Sequence, residues 1–364
     1  MNPALSRPSS VHACPRVLIL KPSSLGDVVQ ALPVLRLLKR ARPGSEVYWW
    51  LNDSLAPLLE GDPDLAGIFW FSRRGWGSVA RWRELIRQVR QMRRLTFDWV
   101  IDLQSLARSG WIAWLANGKL TVGLDDAREG ARGFYDVVVS RPDYHTHAVD
   151  WYLAVLTALG VPAQGDFEWL PERPAVAAAV RSKWGATGVW VGLQPGARWS
   201  NKRWPVESYA GLVRLLHRGR PWLKYAVLGS REDGELGRVL AEAAPGAVAD
   251  LTGRTTLPEM VEWVRRCEVL VTNDTGPMHV AAAVKCPVVA LFGPTEPQRT
   301  GPYRQLDGVL RRSDLACTPC MSDRCHHAIP LDCLRGIAVE TVAARVERHL
   351  TRCAVGPGGS PTRN

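Results

Sequence analysis

Nowhere in these 364 residues does an apolar run approach the ~18–20 that a membrane-spanning helix needs. The opening stretch, MNPALSRPSSVHACPRVLILKPSS, holds only the apolar core Val17–Leu20, too short for the hydrophobic region of a secretory leader. A cytoplasmic protein is therefore expected. The turn Lys21-Pro22-Ser23-Ser24-Leu25-Gly26-Asp27 lacks both the GxGxxG dinucleotide fingerprint and the GxxxxGKS phosphate loop, so neither cofactor class is supported. Acidic residues are in deficit: 46 Lys and Arg face 35 Asp and Glu, a formal net charge of +11. Such a surface suits an anionic partner, whether nucleic acid, an acidic membrane or a phosphorylated substrate. Composition is otherwise that of a globular chain long enough for two domains.

The stretch from Glu268 to Pro302 is the most informative. Val269–Thr272 reads as a buried strand, followed by Asn273-Asp274-Thr275-Gly276-Pro277 and then an apolar helix. Proline suits the first helical turn, and Thr275 or Gly276 can cap it. The N-terminus of that helix would present unpaired N–H groups and a positive dipole end at the C-terminal edge of a sheet. Open α/β folds bind phosphates at such places, so a pocket for a nucleotide or sugar phosphate is expected.

Strand and helix alternate on both sides of this segment. Strands are expected at Arg16–Lys21, Glu46–Leu51, Gly67–Phe71, Phe97–Leu103 and Lys119–Gly123, with helices at Asp27–Ala41, Ser78–Leu95, Ala107–Ala116 and Ala148–Leu159. A second series has strands at Val189–Gln194, Tyr225–Gly229, Val248–Leu251, Val269–Thr272 and Val288–Phe292. Its helices fall at Val206–His217, Gly234–Ala244, Leu257–Arg266 and Pro277–Val284. This repetition predicts an α/β protein of two doubly wound, Rossmann-like domains facing across a cleft. The expected boundaries are 1–165 for the N-terminal domain, 166–185 for a linker and 186–338 for the C-terminal domain. Residues 339–352 should form a helix folding back onto the N-terminal domain, and 353–364 a disordered tail.

Several residues could carry chemistry. Ser24 and Asp27 fit a capping box; Asp27 could equally act as a general base, accepting a proton from an attacking hydroxyl. The loop from Gln194 to Pro205 places Gly196, Arg198 and Lys202 after a buried strand. It is either a solvated basic loop or one side of a diphosphate site, where Lys202 would neutralise charge on a departing nucleoside diphosphate. The turn Gly229–Asp233 could cap a helix or accept ribose hydroxyls. His279, one turn into the helix after Gly276, reads as a packed residue before it reads as an acid–base catalyst. The long helix near Ser78–Leu95 pairs an apolar stripe with many arginines. It reads as a crossover helix, with an anionic membrane surface as the rival partner. Cys317, Cys320, Cys325 and Cys333, spaced CxxC, x4, x7, form a candidate structural zinc or iron site, with His326 and His327 as rival ligands.

Taken in order, KPSSLGDVVQALPVL, SNKRWP, NDTGPMH and FGPTEP resemble the bacterial ADP-heptose lipopolysaccharide heptosyltransferases of glycosyltransferase family 9, over about Arg16 to Leu350. The resemblance implies a GT-B fold and an inverting transfer of heptose from ADP-heptose to Kdo-lipid A or the inner core. It implies no cofactor in catalysis, no nucleic-acid partner, and a place on the cytoplasmic face of the inner membrane. Asp27 would be the general base, while Lys202 and Asp274-Thr275-Gly276 would hold the donor phosphates and sugar, with His279 nearby. Glu232 would hold ribose. Segments Asp102–Ser109, Ala127–Glu129 and His147–Val149 look like heptosyltransferase I, in which cations at the positions of Arg108, Arg128 and His147 bind acidic Kdo sugars; Arg73 and Arg74 would join them. The cysteine cluster is more like heptosyltransferase II, which stays open as an alternative beside other donors or acceptors. A different class, a non-catalytic basic protein binding lipopolysaccharide or nucleic acid, would bind without releasing ADP.

Overall fold

Two parallel sheets of six strands organise the chain, and the computed structural model describes residues 14–72, 79–126, 128–165 and 167–350. The first sheet contains β1 (Arg16–Leu20), β2 (Glu46–Asn52), β3 (Gly67–Phe71), β4 (Trp99–Asp102), β5 (Leu120–Leu124) and β6 (Val137–Val139), in the order β3-β2-β1-β4-β5-β6. Its helices are α1 (Leu25–Ala41), α2 (Ala56–Leu59), α3 (Val79–Leu95), α4 (Ala107–Ala116) and α5 (Ala148–Ala158). The chain continues through α6 (Pro174–Trp184) into β7 (Trp190–Gln194), α7 (Val206–Gly219), β8 (Lys224–Val227), α8 (Gly234–Ala243) and β9 (Val248–Asp250). Then come α9 (Leu257–Arg266), β10 (Val269–Asn273), α10 (Gly276–Ala283), β11 (Val288–Phe292), α11 (Pro297–Thr300), β12 (Val309–Arg311), α12 (Asp332–Arg335) and α13 (Val339–Leu350). The second sheet runs β12-β11-β10-β7-β8-β9.

The continuous apolar strands follow from parallel pairing, since helices cover both faces and leave no wet side. β7, β10 and β11 are buried at every position. Leu18, Leu20, Trp50, Phe69, Met92, Phe97 and Ile112 form a core of the first sheet. Val191, Leu193, Tyr209, Leu212, Tyr225, Val269 and Val271 belong to that of the second. In each sheet the strand order reverses once, beside β1 and β4 and beside β7 and β10, which is where doubly wound folds open a crevice for ligands.

The contacts divide the chain into two compact units. One comprises residues up to 23, 31–143 and 149–167; the other comprises 24–30, 144–148 and 168 onward. The opening turns of α1, with Asp27, therefore cluster with the second sheet and not with the first.

Three expectations are corrected. The expected packing of α13 is replaced by one within the second unit: Val342, Ala343, Val346 and Leu350 are buried in its core, and α13 packs on α7. Arg220, just past the end of α7, clamps it by donating from Nε to Glu347 Oε2 at 2.8 Å. The expected linker contains α6, which packs on α9 with Lys183 Nζ 3.2 Å from Glu259. The edge strands β6 and β12 were also missed; with three residues each they are too short to show a periodicity. The tail 353–364 lies outside the described residues. Among those described, no helix is long and apolar enough to cross a membrane.

Candidate functional site

The C-terminal ends of β7 and β10 lie side by side, with Gln194 in register with Thr272. Asn273, fully buried at the end of β10, ties them together. Its Oδ1 accepts from Trp204 N at 3.0 Å, and its Nδ2 donates to the Pro195 carbonyl at 2.7 Å. The basic loop is thereby held in place, and the short 3-10 turn Ser200–Lys202 delivers the lysine. Lys202 Nζ sits 2.6 Å from Asp274 Oδ2 and 4.6 Å from the centre of the Trp199 ring. Thr295, at the end of β11, donates to the same Asp274 oxygen at 2.6 Å. A largely buried carboxylate with a cation and a hydroxyl on one oxygen is well fixed.

α10 begins beside it. Thr275 is its N-cap in extended conformation, but the side chain makes no capping bond, contrary to the expectation that it might cap. The dipole end of α10 thus opens among Thr275, Gly276 and Pro277, which line a cavity of about 410 Å³; Gly276 supplies its first N–H, since Pro277 has none and Met278 N donates to the Thr275 carbonyl at 3.1 Å. The cavity is also lined by Asp27, Gln30, Arg198, Lys202, Asp274 and His279. Its size is that of a small-molecule site.

Asp27 keeps its capping role: Ser24 N and Oγ both donate to its Oδ2, at 2.9 and 2.6 Å. His279 is buried, and burial pushes its pKa down to about 4 against the opposing pull of Asp274 and Asp27. It is therefore neutral near pH 7, a hydrogen-bonding group and not a cation.

Glycine is required at position 26 for a definite reason. A Cβ there would lie 2.4 Å from His279 Cδ2, and His279 is buried and cannot easily yield. Gly26→Ala should therefore lower stability by about 1–3 kcal/mol, measured by thermal unfolding. An alanine variant with the wild-type unfolding midpoint would show that the His279 ring moves without cost.

Other expected residues are placed differently. Gly196 does not line the cavity; its Cα approaches Asp233, whose carboxylate would lie 2.4–2.7 Å from a Cβ there. Glu232 is exposed and not part of the cavity wall, while its neighbour Asp233 is buried and accepts from Ser230 N and Oγ at 2.8 Å. His147 is buried with Nε2 3.0 Å from the Gly301 carbonyl, so it braces the segment that follows Thr300. Arg108 is exposed on α4. The loop before it is ordered by buried Asp102, which accepts from Gln104 N at 2.8 Å and from the Tyr135 hydroxyl at 2.7 Å. Arg73, Arg74 and the Arg128 side chain lie outside the described residues.

Cys317, Cys320, Cys325 and Cys333 do line one cavity, of about 250 Å³, separate from the first. Among the described residues, however, no group of three or more His, Cys, Asp or Glu is arranged to hold a metal ion. The zinc or iron site expected from spacing is not formed. Burial, and after it the neighbouring cysteines, push the Cys333 thiol up. The cysteine loop instead acts as a brace: Asn201 Nδ2 donates to the Ser322 carbonyl at 2.9 Å, and Met321 N to the Pro294 carbonyl at 2.8 Å. It thereby supports the turns carrying Lys202 and Thr295.

The motif segments contain Thr295, Asn273 and Gln30, yet the sequence assigned none of them a role. Gln30 had a local signal, since it follows Asp27 by three residues and shares its helix face. The pairing of Thr295 with Asp274 had none, because the two lie 21 residues apart.

The family description glycosyltransferase family 9 (heptosyltransferase) matches residues 83–328. The chain is 30% identical to lipopolysaccharide heptosyltransferase 1 of Pseudomonas aeruginosa over 320 residues, 85% of this chain and 87% of that one. A solved glycosyl transferase family 9 structure from Veillonella parvula aligns with TM-score 0.78 and 26% identity, covering 93% of this chain and 97% of the other. E. coli heptosyltransferase WaaC with ADP aligns with TM-score 0.74 and 24% identity over 92% of this chain and 99% of the other, a likeness of fold.

Proposed function

Since the chain belongs to glycosyltransferase family 9, the heptosyltransferases, we propose that its cavity takes ADP-heptose and that the enzyme transfers heptose to the inner core of lipopolysaccharide. The observation that carries this reading is one cavity lined at once by a carboxylate at a helix start, Asp27, by the Lys202–Asp274 pair and by the opening of α10. Asp27 takes the proton of an acceptor hydroxyl, and that oxygen attacks the anomeric carbon. The bond from that carbon to the diphosphate oxygen breaks with inversion, and ADP leaves. Lys202, Arg198 and the positive end of α10 meet the charge gained by the leaving diphosphate. Asp274 accepts from heptose hydroxyls. These groups meet the charge without invoking a cofactor.

For the acceptor we favour Kdo-lipid A, the substrate of heptosyltransferase I. The match to a heptosyltransferase 1 and the exposed Arg108 at the start of α4 support that choice. Incubation with ADP-heptose and Kdo-lipid A should release ADP and add one heptose mass to the lipid. A protein that binds either compound yet releases no ADP would sink the proposal in favour of a binding protein. Release only with an already heptosylated core would move the enzyme to the heptosyltransferase II reaction.

A lipid acceptor calls for a membrane surface, and we assign α3 and α4 to it. Trp82 and Ile86 are 45% and 47% exposed beside the exposed Arg83, Arg87, Arg90 and Arg94, and Trp114 on the adjoining α4 is 57% exposed. Arginine with exposed tryptophan suits the headgroup region of an anionic bilayer. The protein should float with vesicles containing phosphatidylglycerol but not with neutral ones. The double change Arg87→Glu, Arg90→Glu should reduce flotation about tenfold or more, at about 1 kcal/mol per lost basic contact plus the added repulsion. Equal flotation of that variant would remove this face from the role.

A further inference from the structure

One buried polar group in the cavity is left without work by the protein itself. Gln30 is 3% exposed, and its Nε2 has no hydrogen-bond partner among the described residues. Of the buried side-chain atoms that lack partners among the described residues, this is the one whose residue lines the Asp27 cavity. Native proteins rarely bury a polar group unpaired, because the lost hydration is not returned. A glutamine kept in that condition at a cavity wall is explained if a ligand supplies the partner.

Its position narrows what that partner is. Gln30 lies three residues after Asp27 on α1, so the two side chains share one face of the helix, and both line the cavity. The polar groups assigned to the diphosphate, Lys202, Arg198 and the start of α10, come from other elements. A neutral amide is a poor counter-charge for a phosphate but a good donor to a hydroxyl oxygen.

We propose that Gln30 is a substrate-contacting residue whose amide donates to a sugar hydroxyl oxygen next to the reacting centre, orienting the sugar against Asp27. This deepens the heptosyltransferase reading and rests on it. An apoprotein with an unpaired amide then gains the missing bond only when the sugar is seated, which rewards correct placement. The sugar is either the donor heptose or the acceptor, and the two leave different traces.

The test replaces Gln30 with methionine, similar in length and without polar atoms, and with glutamate, similar in shape but without the amide donor. In Gln30→Met the thermal unfolding midpoint should stay level or rise, since an unpaired buried group is removed, whereas kcat/KM should fall about tenfold or more. Gln30→Glu should lose activity to a similar degree. ADP affinity should be unchanged in both variants. If heptose takes the bond, affinity for ADP-heptose falls; if the acceptor takes it, both nucleotide affinities hold and the loss falls on the acceptor KM or on kcat.

Wild-type kinetics in Gln30→Met would overturn the proposal. So would activity lost in parallel with the unfolding midpoint and with ADP affinity, which would mark a purely structural residue. Failure of the underlying reading looks different, because then the wild-type protein itself releases no ADP from ADP-heptose.

Discussion

An Asp27→Asn enzyme should turn over about a hundredfold to ten-thousandfold more slowly than the wild type, the usual range for removing a positioned general base. Asparagine is the informative replacement because its side-chain oxygen can still accept from Ser24 N and Oγ, so the cap of α1 survives. What disappears is the capacity to take a proton. Affinity for ADP-heptose should therefore stay within about threefold, which separates a chemical role from a binding one. The pair of readings is measured by steady-state ADP release and by calorimetric titration of the donor. Turnover retained in the asparagine variant would dismiss Asp27 as the base; parallel loss of donor affinity and folding would return it to being a cap alone.

The second large effect is expected at Lys202. In Lys202→Met, kcat/KM should fall about a hundredfold to a thousandfold, as when a preorganised donor to developing charge is removed. ADP affinity should fall as well, because on the proposed reading ground-state diphosphate and leaving group use the same cation. The change also strips Asp274 of its cation, leaving the Thr295 hydroxyl as its hydrogen-bond partner among the described residues. Breaking such a largely buried pair costs about 3–5 kcal/mol when the partner stays charged, so the apoprotein should unfold at lower temperature too. The double variant Lys202→Met, Asp274→Asn distinguishes the two losses. Stability should recover, since no uncompensated charge remains, and activity should not. Recovery of activity together with stability would mean that Lys202 serves the fold and not the leaving group.

Much of the architecture was readable from local pattern. Each long apolar strand and most of the crossover helices carry their signal within a dozen residues. The turn after β10 announced itself through Asp274-Thr275-Gly276-Pro277, a strand end, a cap and a proline in sequence. The errors lie where the signal is short or the partner distant. β6 and β12 are three-residue edges. α6 sits in a stretch whose prolines suggested a linker, although proline at its first position is a good helix start. The cysteine spacing resembled a ligand set, yet its thiols line a cavity without a metal-holding arrangement among the described residues.

By itself the sequence determined the alternation of strand and helix, the excess of base, the helix start after β10 and the candidate pair Asp27 and Lys202. Those features arise from periodicity, capping and composition, which act between near neighbours. The tertiary structure alone decided that α13 packs on α7, that Asn273 pins the lysine loop, and that Thr295 shares Asp274 with Lys202. It also decided that the start of α1 clusters with the second sheet and that Gln30 Nε2 is buried there with no hydrogen-bond partner among the described residues. Each of those outcomes depends on which apolar faces and polar atoms meet after the chain has returned on itself. Hydrophobic burial is non-directional and names no partner, so contact between residues tens or hundreds of positions apart is settled only by the packed whole.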